Sequence, residues 1–236
     1  MIARVQKIIA DAGICSRRKA EDLIRLGSVT VNGKTAKIGD SADSDKDTIA
    51  VDGKPLKKTS QFLYLAINKP RGFVSSTLPE NGREAVTSLV KTKERIYPVG
   101  RLDVDTEGLL LLTNDGNFSH KLTHPSFEVT KTYQVHLLRP IREKDLLKLQ
   151  DGPVIDGKKV DIHMVRDLEP RVIEVTIHEG RKHIVKKLFG HMGYHVERLI
   201  RIRIGDVQLG PLRTGAVRAL TPVEIQKLLK GVKKEH

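Results

Sequence analysis

Gly100-Arg101-Leu102-Asp103-Val104-Asp105-Thr106-Glu107-Gly108-Leu109-Leu110-Leu111-Leu112-Thr113-Asn114-Asp115-Gly116 is the stretch around which the chain is organised. Its four consecutive leucines, bounded by Gly108 and by the turn signal Asn114-Asp115-Gly116, predict a strand buried on both faces. Ahead of that strand stand Arg101, Asp103, Asp105 and Glu107. A rigid strand with carboxylates at its entrance can hold a catalytic acid still. The same acids can equally be turn-forming or capping groups in a polar loop that feeds a core strand. The residues alone leave both readings open.

Outward from this stretch, 236 residues suit one sizeable domain and one small one. The 39% hydrophobic content supports a core, and the absence of Trp makes it an aliphatic one. A formal charge of +13 points to a polyanionic partner. No apolar run reaches the eighteen or so residues of a spanning helix and no signal peptide is visible, so the expectation is a cytoplasmic protein with no membrane partner. A single cysteine, Cys15, excludes an internal disulfide and a Cys-based zinc site. His178, His183, His191 and His195 make a poor zinc set, because Gly193 interrupts the helical spacing of the last two.

Residues 1–58 read as a separate unit. Val5, Ile8, Ile9 and Ala12 recur at helical spacing with Gly13 as a stop. Ser16 is placed to cap a second helix, with Ala20, Leu23, Ile24 and Leu26 facing inward and Gly27 closing it. Val29 to Lys34 predicts a hairpin around Asn32-Gly33, and Thr48 to Val51 a short strand before Asp52-Gly53. Arg17, Arg18 and Lys19 fall in the first turn of the second helix, where the macrodipole disfavours positive charge. Phosphate oxygens would offset that cost, which makes the three candidate RNA-binding residues, a solvated basic face being the alternative. Cys15 reads as a small packing residue, and Lys54 to Ser60 as a linker.

In residues 59–236, Phe62 to Ile67 predicts an apolar strand ended by Asn68-Lys69-Pro70-Arg71-Gly72. Lys69 and Arg71 flank the proline and are expected to stand in solvent, within reach of a phosphate. Ser75 to Lys93 predicts a loop with one short helix. Lys131 to Leu138 alternates as a half-buried strand does and carries Tyr133, either an aromatic stacking platform or an ordinary cross-strand aromatic. Arg142 to Gln150 predicts a helix and Val172 to Ile177 a core strand. Val185, Leu188 and Phe189 form a helical stripe, so Arg181, Lys182, Lys186 and Lys187 crowd the first turns of that helix. Like charges so close repel unless anions sit nearby. Val196 to Gly205 reads as a basic strand, followed by a strand at Val217 to Leu220 and a helix from Pro222 to Leu229.

The pattern Gly-Arg-Leu-Asp-x-x-Thr-x-Gly-Leu-Leu-Leu-Leu-Thr of Gly100 to Thr113 resembles the signature of the RsuA/RluB family of bacterial ribosomal RNA pseudouridine synthases. Asn68-Lys69-Pro70-x-Gly72, Lys131-Thr132-Tyr133 and Glu179-Gly180-Arg181 resemble further landmarks of that family. Ala12 to Glu21 is the most specific part of a resemblance to the S4-like RNA-binding module. The resemblance implies an α+β architecture: a small helix-hairpin S4-like domain over residues 1–58, then a pseudouridine synthase domain over residues 59–236. The second has a mixed, mostly antiparallel sheet flanked by helices. By the same resemblance Asp103 is the nucleophile, Tyr133 stacks on the target base, and Lys186 pairs with Asp103. Asp105 and Glu107 remain structural acids.

Two departures stand in the third motif. Ile184 replaces the usual glutamine, and Lys186 replaces a more common arginine, supplying the charge without the bidentate fork. Arg101, Lys69, Arg71, Arg181, Lys182 and Lys187 join Arg17, Arg18 and Lys19 as candidate RNA contacts. The implied reaction isomerises a uridine of ribosomal RNA. It involves neither redox nor group transfer, so no cofactor and no metal is expected. The implied partner is ribosomal RNA or a pre-ribosomal particle, and the implied state is a monomer. Val104 to Gly108 and His124 to Val129 look like the large-subunit enzymes. The alternatives are a small-subunit enzyme and, favoured by Ile184, a non-catalytic rRNA-binding assembly factor.

Overall fold

The computed structural model of the chain describes residues 2–57, 61–127 and 129–230. It divides into two compact units, one of Met1–Phe62 with Thr92–Arg95 and Asn114–Gly116, the other of the remainder. The boundary expected at 58/59 lies outside the described residues.

The first unit runs β1 (Ile2–Arg4), α1 (Val5–Asp11), α2 (Arg17–Arg25), β2 (Val29–Val31), β3 (Lys34–Thr35), β4 (Ser41–Asp43), β5 (Ile49–Val51) and β6 (Lys54–Pro55). Val5, Ile9, Ala20, Ile24 and Val29 are buried together as its core. Ser16 Oγ accepts from Lys19 N at 3.2 Å and caps α2 as its position suggested. Asn32 and Gly33, at φ 51° and 79°, supply the left-handed pair that a two-residue hairpin needs between β2 and β3. Leu26 departs from the expected inward face and is 75% exposed, because α2 ends at Arg25 and leaves Leu26 as its cap. The linker also begins later than expected. Lys54–Pro55 pairs with β5 as an edge strand, where a missing N–H costs no ladder bond.

The second unit runs β7 (Tyr64–Lys69), β8 (Tyr97–Val99), β9 (Glu107–Thr113), α3 (Gly116–Thr123), β10 (Lys131–Leu137), α4 (Glu143–Gln150), β11 (Val154–Ile155), β12 (Lys158–Lys159), β13 (Ile162–Glu169), β14 (Val172–Ile177), α5 (Ile184–His191), β15 (Val196–Ile204), β16 (Val207–Gln208), β17 (Val217–Ala219) and α6 (Pro222–Lys230). A nine-stranded sheet has the order β13-β14-β10-β15-β9-β7-β17, with β8 on β9 and β16 on β15. Within it β9 and β15 run parallel and the other described pairs antiparallel.

Every residue of β9 is buried. Leu110 and Leu112 pack into one cluster with Val135, Leu188 and Phe189, while Leu109 and Leu111 pack into another with Phe118, Leu122 and Leu228. Helices therefore cover both faces, and four leucines in a row are the consequence. The sequence reading missed β13, whose residues are mostly exposed and carry no clean alternation.

Thr221-Pro222-Val223-Glu224 opens α6 as a capping box. Glu224 N donates to Thr221 Oγ1 at 3.2 Å, and Thr221 N donates to Glu224 Oε2 at 2.8 Å. Arg218 on β17 forks onto the same carboxylate at 2.7 and 2.8 Å, which holds Glu224 down at about 2. A carboxylate depressed in the fold contributes stability above its unfolded pKa near 4.5, and that contribution is lost as pH falls through 2. Glu224→Gln is expected to cost about 1 to 2 kcal/mol at pH 7, after discounting for solvent screening of the partly exposed pair. Its urea-unfolding free energy should then fall less steeply than wild type between pH 4.5 and 2.

Candidate active site

The registers of β7, β9, β15 and β10 set Lys69, Gly108, Arg201 and Tyr133 opposite one another in a single row across the sheet. Opposed residues share a face, here the one packed against Ile184, Val185, Leu188 and Phe189 of α5. Gly108 sits at φ 103°, and a Cβ there would lie 2.3 Å from the Arg201 carbonyl oxygen. The two parallel strands meet too closely for any side chain. Arg201 Nε donates to Leu109 O at 2.8 Å and Nη1 to Arg101 O at 3.5 Å, so the guanidinium ties the strand to the loop before it.

Lys69 corrects an expectation. Its place is not in solvent within reach of a phosphate but in the interior, where it is 0% exposed. β7 runs on through Asn68 and Lys69 before the proline ends it. The ammonium donates to Thr106 O at 2.8 Å, Pro70 O at 3.0 Å and Val104 O at 3.4 Å, so three donors meet three carbonyls. Burial pushes its pKa down to about 8, against the opposing pull of Asp105, Asp103 and Glu107. Lys69 is a clamp on the loop that bears the acids.

Other bonds fix the same loop. Ser75 Oγ donates to Leu102 O at 2.8 Å and accepts from Leu102 N at 3.0 Å. Gly72 N donates to Val104 O, and Thr106 N to Asp103 O. Glu107 accepts a bidentate pair from Arg198 at 2.8 and 2.9 Å and a third bond from Arg71 Nε at 2.8 Å. The Arg198 bonds, then the charge of Arg71, hold Glu107 below the usual carboxylate range. Arg71 is therefore engaged within the protein, and Glu107 is a structural acid.

Two side chains from the start of α5, an imidazole and an ammonium, meet the two remaining acids. His183, left-handed at φ 57°, places Nε2 3.2 Å from Asp103 Oδ1. Lys186 Nζ lies 2.5 Å from Asp105 Oδ2, so the ion pair expected between Lys186 and Asp103 goes to the neighbouring acid. His183 and Lys186 are one turn apart and share a helix face, as Asp103 and Asp105 share a loop. Burial alone would raise the Asp105 carboxyl, but the Lys186 bond and charge outweigh it and the net shift is downward. Asp103 is the more enclosed acid, its side chain 28% exposed against 69% for Asp105. Its neighbour Leu102 lies in the cluster that contains Tyr133, Ile184 and Val185.

Sequence reasoning weighed His183 only as a poor zinc ligand. Its place beside Asp103 depends on where α5 begins, which the apolar stripe does not specify. Ile184 is buried against the sheet, which accounts physically for an apolar residue at that motif position. Among the described residues no group of three or more His, Cys, Asp or Glu could hold a metal ion.

The remaining basic candidates separate by partner. Arg181 bonds Glu179 and also donates to Ile155 O at 2.5 Å, and Lys187 Nζ lies 2.5 Å from Asp156 Oδ2. Both anchor the start of α5 to the β11–β12 hairpin, where their charges had suggested phosphate contacts. Arg101, Lys182, Arg17, Arg18 and Lys19 are exposed. Cys15 packs against the core of the first unit, and burial raises its thiol pKa, consistent with an inert packing role.

A sheet floor beneath an acid-bearing loop, joined to a separate helix-hairpin unit, defines a class of protein that matches known families. Residues 63–191 match the family described as RNA pseudouridylate synthase, and residues 3–42 match the S4 domain. The chain is 43% identical to an uncharacterized RNA pseudouridine synthase of Mycobacterium leprae (strain TN), covering 97% of this chain and 93% of that one. It is 41% identical to the ribosomal large subunit pseudouridine synthase B of Bacillus subtilis (strain 168), with 95% of each chain covered. A crystal structure of a pseudouridylate synthase superposes with a TM-score of 0.69 at 34% identity, over 95% of this chain and 99% of that one. The protein belongs to the RNA pseudouridylate synthase family and carries an N-terminal S4 domain. It is an isomerase acting on RNA.

Proposed function

We propose that the protein isomerises a specific uridine of large-subunit ribosomal RNA, with Asp103 as the nucleophile. The single observation that carries the assignment is Asp103 itself, held by backbone bonds at the entrance to β9 with its carboxylate turned to His183. The large-subunit preference rests on the likeness to the Bacillus subtilis enzyme and on the sequence from His124 to Val129. A stacked uracil is out of reach, so the nucleotide must flip out at a cost of roughly a few kcal/mol. Phosphate contacts from Arg101, Lys182 and, in the S4 domain, Arg17, Arg18 and Lys19 offset that cost.

Asp103 then forms a transient covalent bond to the nucleoside while the N1–sugar bond breaks. Tyr133 packs against the uracil as it turns, and C5 bonds to the sugar carbon in place of N1. N1 gains a proton, C5 loses one, and the carboxylate is released, so atoms and electrons balance without a co-reactant. Tyr133 is only 8% exposed, which makes the floor of the site dry. Lys186 acts through Asp105, keeping the loop and α5 in register.

The test is to map pseudouridines in ribosomal RNA from cells with and without the gene. A single large-subunit position should revert to uridine on deletion. A loss confined to small-subunit RNA would overturn the large-subunit assignment, and no loss in either would overturn the rRNA assignment. Salt dependence separates the lysines. Lys182→Ala should lower the slope of log affinity against log salt by about 0.7, the value of one phosphate on single-stranded RNA. Lys69→Met should leave that slope unchanged while lowering stability by about 2 to 4 kcal/mol, since it unpairs three carbonyls.

A further inference from the structure

Arg201 is 3% exposed, and among the described residues its Nη2 has no hydrogen-bond partner. A buried guanidinium that spends its other nitrogens on two carbonyls and leaves a whole arm unused is costly. Among the described residues no carboxylate forms an ion pair with it. Its two bonds run to neutral carbonyls, and Lys131, on the same face of β10, adds positive charge beside it. Among the described residues the one bond of Lys131 Nζ runs to Val129 O, at 2.9 Å. A buried polar group without a partner calls for an explanation, and an anion that arrives during function supplies one.

The row in which Arg201 stands says which anion. Arg201 stands opposite Tyr133 on one side and Gly108 on the other, in the row that floors the site. The guanidinium lies across β9, bonded to Leu109 O and to Arg101 O, two residues before Asp103. We propose that Arg201 is a catalytic residue whose Nη2 donates to a carbonyl oxygen of the flipped uracil and stabilises the negative charge that the ring carries when its bond to the sugar breaks. The inference rests on the uridine-isomerase reading above. Attack at the sugar carbon expels uracil with the N1 electron pair, and that charge spreads over O2 and O4. Attack at C6 of the ring instead produces an enolate on O4. Either way a preorganised donor in a dry site is most effective where charge develops.

The experiment measures the single-turnover rate at which the N1–sugar bond breaks for Arg201→Gln and Arg201→Lys on a transcript of the rRNA segment that mapping identifies. It is read as conversion when the transcript is made with uridine, and as loss of the starting nucleoside when it is made with 5-fluorouridine, whose C5 has no proton to release. Fluorine withdraws electrons and makes the ring a more stable anion, so it should partly replace the lost donor. The expectation is a rate about 100-fold below wild type for Arg201→Gln on uridine, the usual effect of removing one such donor. RNA affinity should stay within about threefold, and the defect should shrink at least about fivefold on the fluorinated transcript. Arg201→Lys keeps the charge and one donor, so it should melt like wild type yet remain about tenfold slow. An Arg201→Gln defect equal on both transcripts, or a lysine variant with wild-type rate, would make Arg201 a structural strut and overturn the proposal. Wild type and Asp103→Asn run alongside. A wild type that converts no uridine removes the underlying reading, whereas an active wild type with an unimpaired Arg201→Gln removes only this one.

Discussion

Asp103→Asn is expected to abolish pseudouridine formation, lowering the single-turnover rate by about 10⁴-fold or more, while RNA affinity stays within about threefold of wild type. The substitution is nearly isosteric. The backbone carbonyl of residue 103 still accepts from Thr106 N, and Leu102 remains bonded to Ser75, so the loop should keep its shape. What disappears is the carboxylate able to form and release a bond to the nucleoside. Asp105→Asn provides the contrast, because the structure offers two acids two residues apart, Asp103 beside His183 and Asp105 beside Lys186. That variant loses the Lys186 partner but no nucleophile, and a loss of about tenfold or less is expected. Tritium release from uridine-labelled ribosomal RNA taken from gene-deleted cells measures both. Normal turnover by Asp103→Asn together with a dead Asp105→Asn would move the nucleophile to Asp105.

Gly108→Ala should be the most damaging small substitution in the second unit. Its Cβ would fall 2.3 Å from Arg201 O and 2.7 Å from Arg201 N, both backbone atoms that cannot rotate away. The residue also sits at φ 103°, which alanine adopts only with strain. The strands must separate at the point where β9 joins β15, so a loss of about 4 kcal/mol or more is expected, at the extreme of point-mutation effects. Activity should fall with it, since Lys69, Arg201 and the Asp103 loop all converge on that row. Gly190→Ala is the matched control. It lies in α5 with nothing within 4 Å of the added carbon, and helix propensity predicts a gain of up to about 1 kcal/mol. Urea unfolding of the two variants checks the difference.

Periodicity and turn chemistry made much of the architecture readable without coordinates. Leu109 to Leu112 required helices on both faces of a strand, and α3, α5 and α6 provide them. Ser16, Asn32-Gly33 and the stripe through Val185, Leu188 and Phe189 each acted within a few residues, where local forces dominate. The acid at Asp103 was also readable, because a motif binds its residues at fixed short spacing.

Partnerships across the sheet were not readable, since they depend on register between strands far apart in the chain. Lys69 looked like a solvent lysine beside a proline, and only pairing with β9 brought three carbonyls to its ammonium. Lys186 went to Asp105 and His183 to Asp103 because α5 begins at Ile184, a boundary set by packing against the sheet. Arg201 was one basic residue among three on a strand until the row with Gly108 and Tyr133 buried it with an arm unused. By itself the sequence determined the elements, the leucine core and the position of the acid, all products of short-range chemistry. Which side chain meets which acid, and which arginine is buried in the row with Gly108 and Tyr133, was decided only by tertiary structure, because pairing follows distance in space and the chain order does not contain it.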